Sequence, residues 1–218
     1  MKAAIVILPC LVAGVFGASR IGASNRYVDE LFHATLPRMT GLEGSRLHDF
    51  ALKVESNSVT NRDVKAEFHD GRMVGTLPPN GIRRDGNCSP PRIEFGATVV
   101  SCAVSLDGLK ASYKGTVRGE DLTGTNRTIG VDATFAGTKG YIEVASTPGG
   151  TPTLRTWRVN PVVLHLTLSR ELSLTSPRRK RFKEEVKKNF VSAANSFFYG
   201  DLHYALSNAV KFRPLPSL

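Results

Sequence analysis

The densest run of charge in this 218-residue chain is Arg178-Arg179-Lys180-Arg181, continued by Lys183 and Lys187. Pro177 stands before it and marks the opening of a helix, where cations oppose the macrodipole at about 0.3–1 kcal/mol each. Helix stability alone does not call for them. Three readings follow: a solvated first turn, a binding site for a polyanion, or a convertase processing site. The polyanion would be a sulfated glycosaminoglycan or an anionic membrane surface. The whole chain carries 29 Lys and Arg against 19 Asp and Glu, a net charge of +10 that favours anionic partners. Nucleic acid is not among them, because aromatic residues are sparse between the basic ones.

Catalytic chemistry finds no foothold. The histidines, His33, His48, His69, His165 and His203, show no i, i+4 pair or other metal-ligand spacing. There is no Gly-x-Ser-x-Gly elbow, phosphate-cradling glycine loop or dinucleotide fingerprint. The chain therefore reads as non-enzymatic, with no metal and no cofactor.

The first residues read as an address. Lys2 precedes the apolar run Ala3 to Phe16, and Gly17-Ala18-Ser19 ends it, the pattern of a secretory signal peptide over residues 1–17. A secreted, extracellular location follows. Removing that segment removes Cys10 and leaves Cys88 and Cys102, an even pair in an oxidising compartment. A single strand from Arg92 onward would carry Cys102 about 33 Å from Arg92, too far for the residues after Cys88 to return. A disulfide therefore requires a chain reversal near Pro90-Pro91 and Gly96, with a strand starting around Ala97; two free thiols are the alternative. Asn126, in Asn126-Arg127-Thr128 among loop residues, is a glycosylation candidate; Asn87, beside Cys88, is not.

Three kinds of element must position these groups. Ser24 or Asn25 can cap a first helix, within residues 18–46, whose apolar face carries Val28, Leu31, Phe32 and Leu36. From Phe50 to Leu168 the apolar period is two, with Asp70-Gly71 and Asp107-Gly108 read as hairpin turns, so the strands form an antiparallel meander. From Arg178 to about Leu206 the period returns to helical, with Ser176 as cap and Phe182, Val186, Phe190, Ala193, Phe197 and Tyr204 on one face. Burying each Phe contributes about 1.5–3 kcal/mol, and the only apolar surface broad enough is one face of the sheet. The expected fold is α+β: a highly curved antiparallel sheet wrapped around a long C-terminal amphipathic helix, with a shorter N-terminal helix. Residues 47–218 hold sheet and closing helix, within one domain over 18–218.

This order, with the stretches Tyr27 to Phe32, Ser105 to Tyr113 and Arg181 to Leu206, resembles the tubular lipid-binding (TULIP) superfamily. Within it the look is nearest to mite group 7 allergens and related secreted proteins of ticks and mites, more distantly to takeout, juvenile-hormone-binding and bactericidal permeability-increasing proteins. The chain lacks the N-terminal cysteine pair of the takeout and hormone-binding relatives. The resemblance implies an apolar tube for a fatty acid, lipid or other hydrophobic small molecule. Leu31, Phe32, Tyr113, Phe135, Phe190, Ala193, Phe197 and Phe198 would line it, the small residue leaving room and the aromatics forming the wall.

Overall fold

The computed structural model describes residues 10–39, 41–56, 62–77, 81–120 and 124–218, with side chains from Arg20 onward. The first half of the expected signal segment lies outside the described residues. Helix α1 (Cys10–Glu30) passes through Ser24 and Asn25 without a break, so neither caps it. Ser24 is buried instead. The Asn25 amide reaches the disulfide loop: its Oδ1 accepts from the Cys88 N–H at 2.8 Å, and its Nδ2 donates to Asn87 Oδ1 at 2.9 Å. A wide π turn (Leu31–Thr35) and a tight turn (Leu36–Arg38) containing Pro37 end the helix.

Eleven strands follow among the described residues: β1 (Ser45–Arg46), β2 (Phe50–Val54), β3 (Val64–Val74), β4 (Arg83–Arg84), β5 (Arg92–Glu94), β6 (Ala97–Ser105), β7 (Lys110–Arg118), β8 (Arg127–Phe135), β9 (Lys139–Ser146), β10 (Thr153–Val159) and β11 (Leu164–Leu168). The expected alternation is present: Ala111, Tyr113 and Val117 on β7, and Ile129, Val131, Ala133 and Phe135 on β8, face the core. All pairings are antiparallel, yet strand order does not follow the chain. One sheet has β1 and β2 side by side along β3, then β7, β8 and β11; the other has β4 and β5 along β6, then β9 and β10.

Both Asp-Gly hairpin expectations are corrected. Asp70-Gly71 lies inside the single strand β3 as a bulge, where the register against β7 slips between His69 and Arg72 and Asp70 takes φ +57°. The Tyr113 ring and Leu47 crowd the space a side chain at Gly71 would need. Asp107-Gly108 is a corner at which the chain leaves one sheet for the other, since β6 pairs with β9 and β7 with β3 and β8. Leu106 and Leu109 on either side are fully buried, and their burial draws the corner inward. A second corner stitches onto it, Leu106 N–H donating to Thr138 O at 2.9 Å, and that corner is tied to a third, Ala136 N–H donating to Val163 O at 3.2 Å.

The closing rod comprises α2 (Ser176–Phe197), a π turn (Phe198–Leu202) containing Gly200, and α3 (His203–Ala209). Ser176 is inside the helix rather than its cap; Thr175 takes that position, with Pro177 in the first turn as expected. Phe182, Val186, Phe190, Ala193, Ala194 and Phe197 are buried, whereas Tyr204 is exposed. α2 touches both edges of the first sheet, β2 and β11, and α3 touches β10 of the second. A sheet whose two edges meet one helix is curled around it, which is the α+β architecture read from the sequence.

Candidate functional site

The predicted tube residues are all buried, but aromatic rings occupy the space between helix and sheet. Tyr113 and Phe190 meet at 4.9 Å between ring centroids, and Phe50 lies 5.0 Å from Tyr113 and 6.1 Å from Phe190. Phe68 stacks on Phe50 at 4.7 Å and reaches Phe182 at 6.5 Å. Nearer the π turn, Phe198 contacts Phe135 at 5.8 Å and Phe197 at 5.7 Å. Ala193 is buried on the same helix face, and Leu31 and Phe32 join the core from the end of α1. Edge-to-face rings of this kind add about 0.5–1.5 kcal/mol beyond their burial, so these contacts help hold helix and sheet together. Burial also pushes the Tyr113 hydroxyl up from its ordinary pKa, and that hydroxyl donates to His48 O at 3.0 Å.

The predicted cations divide in two. Arg178 is buried and its guanidinium donates to Arg62 O; it is a tie between α2 and the segment before β3, not part of a solvent-facing cluster. Arg179 also braces the approach to the helix, donating to Leu174 O at 3.3 Å and Leu172 O at 3.4 Å. Lys180, Arg181, Lys183 and Lys187 are exposed. Lys180, Lys183 and Lys187 follow i, i+3, i+7 spacing and form one stripe beside β11.

That stripe borders a groove of about 480 Å³ between β11 and α2, floored by Leu164 and Leu166 and flanked by His165, Ser176 and Glu184. A second cleft of about 450 Å³ continues it along β11 past Leu168, sharing Leu166, Arg179 and Lys183. The lining of the first groove holds four cations, Arg179, Lys180, Lys183 and Lys187, against one carboxylate, Glu184. Lys180 and Glu184 stand 4.0 Å apart on well-exposed side chains, a contact too solvated to neutralise the wall. An elongated apolar floor with a cationic wall can hold an acyl chain while pairing its acidic end.

Leu164, His165 and Leu166 were not singled out as site residues in the sequence. The available signal was that Val162 to Leu168 is the most apolar alternating run although its strand lies at an edge; Leu166 and Leu168 are only half-buried. Cys88 and Cys102 form the expected disulfide with Cα atoms 4.4 Å apart, and the chain reverses at Phe95-Gly96 before β6 starts at Ala97. Asn126 is exposed just before β8; Asn87 shares a hydrogen bond with Asn25. Among the described residues, no group of three or more His, Cys, Asp or Glu side chains is placed to hold a metal.

No family model matches the chain. It is 24% identical over 212 residues to the salivary anticoagulant protein P23 of the tick Ixodes scapularis, covering 94% of this chain and 95% of that one. Among solved structures, lipopolysaccharide binding protein aligns with a TM-score of 0.45 and 15% identity over 91% of this chain, which spans only 36% of that protein. Takeout 1 of Epiphyas postvittana aligns with a TM-score of 0.31 and 14% identity, over 90% of this chain and 87% of that one.

Proposed function

We propose that this protein is a secreted, non-enzymatic binder of an anionic amphiphile, a fatty acid or lipid held in the seam between β11 and α2. The observation that carries the reading is the apolar floor of Leu164 and Leu166 bordered by Arg179, Lys180, Lys183 and Lys187. The acyl chain lies along β11 and its acidic group pairs with the lysine stripe. Secretion is supported by the N-terminal apolar segment and by the salivary relative, and among the described residues no helix is long and apolar enough to cross a membrane. In this reading residues 1–17 are removed and Asn126 carries the glycan.

Displacement of a fluorescent fatty acid, with mass spectrometry of organic extracts from the natively purified protein, tests the reading. Wild-type protein binds the probe and yields a stoichiometric lipid. Lys183→Glu with Lys187→Glu weakens binding roughly tenfold, from two ion pairs of up to about 1 kcal/mol each turned repulsive. A lipid-free extract together with no displacement overturns it.

A second reading, docking on sulfated polyanions, is favoured by one observation: Arg181 and Lys188 are exposed but lie outside the groove lining. It expects heparin retention that falls steeply with salt and is lost in Arg181→Gln with Lys188→Gln. Fatty-acid binding in the seam survives those two substitutions.

A further inference from the structure

The β5–β6 hairpin reverses in two residues, Phe95 and Gly96, between the paired Glu94 and Ala97. Both central residues have positive φ, +50° for Phe95 and +78° for Gly96, the pattern of a tight hairpin in which Asn-Gly is the usual choice. Phenylalanine is strained in that region, and among the described residues its one ring contact is with the Arg155 guanidinium, while the side chain is 97% exposed. Ile93, two residues earlier in β5, is 54% exposed.

The stem of the hairpin is tied down. Arg92 pairs with Glu94 at 2.6 Å and Glu143 at 3.3 Å, and donates to Ser89 Oγ at 2.8 Å. Arg155 reaches Glu94 at 2.9 Å and places its guanidinium 6.0 Å from the Phe95 ring centre. The Cys88–Cys102 disulfide anchors the base of the hairpin. An apolar knob on a braced stem is thus held out into solvent.

We infer that Phe95, with Ile93 behind it, is a wedge that enters the headgroup–acyl boundary of an anionic lipid surface. Two side chains offer only a few hundred Å², short of the roughly 800 Å² per partner of a stable protein interface. A fluid interface needs no matching socket. Without residues 1–17, which carry Lys2, the net charge is +9; it supplies long-range attraction to anionic lipid, and the wedge supplies insertion, while Arg92, Glu94 and Arg155 stay at headgroup level. This site lies apart from the β11–α2 seam and does not depend on the ligand proposed there.

The test is co-sedimentation with vesicles of phosphatidylcholine and phosphatidylserine in equal parts. Phe95→Asn relieves the strained turn, so it melts at a higher temperature than wild type, yet partitions onto vesicles about tenfold less. A role confined to folding would move neither in that combination. Phe95→Trp places an indole where brominated acyl chains quench it. Wild-type fluorescence is unaffected by them, because Trp157, the chain's one tryptophan, is buried. Full partitioning of Phe95→Asn, absence of partitioning by wild type, or vesicle-bound Phe95→Trp protein without quenching each overturns the inference. So does a Phe95-dependent dimer in the ultracentrifuge without lipid, which would assign the knob to a second copy of the chain.

Discussion

Glu43 shows how an exposed residue can still hold the fold. Burial pushes its carboxyl pKa up, but the Thr76 hydroxyl at 2.7 Å and the Gly75 and Thr76 amides at 2.8 and 2.9 Å outweigh it, and the carboxyl lies below its ordinary 4.5. A depressed folded-state pKa contributes stability that is complete above the unfolded value and is lost as pH falls through the folded one. Glu43→Gln keeps an acceptor oxygen but loses the charge. The expected outcome is a deficit of about 1 kcal/mol at neutral pH, discounted for solvent screening, that shrinks as the medium is acidified below about pH 5. Urea titrations of both proteins across that range measure it, and a deficit independent of pH would show that the carboxylate charge contributes nothing. Arg178 carries the matching lesson about reading charge from sequence: one of four consecutive cations is buried against the Arg62 carbonyl, and its neighbours' exposure does not reveal that.

Among elements, β3 is where local signals and tertiary structure part company. Asp-Gly between two apolar runs is a sound hairpin cue, yet β2 and β1 pair along one side of β3 and β7 along the other, so the strand continues and absorbs the pair as a bulge. The Tyr113 ring packs over the vacancy left by the missing Cβ of Gly71. Gly71→Ala must push that ring and Leu47 aside, at a cost of about 1–3 kcal/mol, whereas Gly86→Ala meets no neighbour and differs only through its positive φ. Thermal melts distinguish the cases; a neutral Gly71→Ala would mean that Tyr113 relaxes freely. The alternation of β7 and β8, the helical period of α2 and the reversal demanded by Cys88 and Cys102 were legible because each follows from spacing within one segment. The corners at Leu106–Leu109 and Ala136–Thr138 were not, since which sheet a strand joins is decided by partners far along the chain. The groove residues Leu164 and Leu166 were missed for the same reason: only an edge position next to α2 turns a core-like strand into the wall of a site.

At the scale of the whole molecule, a sheet curled around a rod must either fill the enclosed space or leave it for cargo. Here Phe50, Phe68, Tyr113, Phe182 and Phe190 pack against one another inside it, and the amphiphile site proposed above lies outside them, at the seam. Phe190→Ala tests that division directly. Removing the ring that packs against Phe50 and Tyr113 costs about 3–5 kcal/mol and leaves an apolar void. Benzene or indole is then expected to raise the melting temperature of the variant and not of wild type, with Phe190→Leu, a smaller excision, as the substitute if the alanine protein does not fold. Affinity for the fluorescent fatty acid should stay unchanged in both variants, because Leu164, Leu166 and the lysine stripe are untouched. A variant that gains fatty-acid affinity would place the acyl chain in the tube, with the aromatic rings as the barrier to its entry and the seam as no more than the path it takes inward.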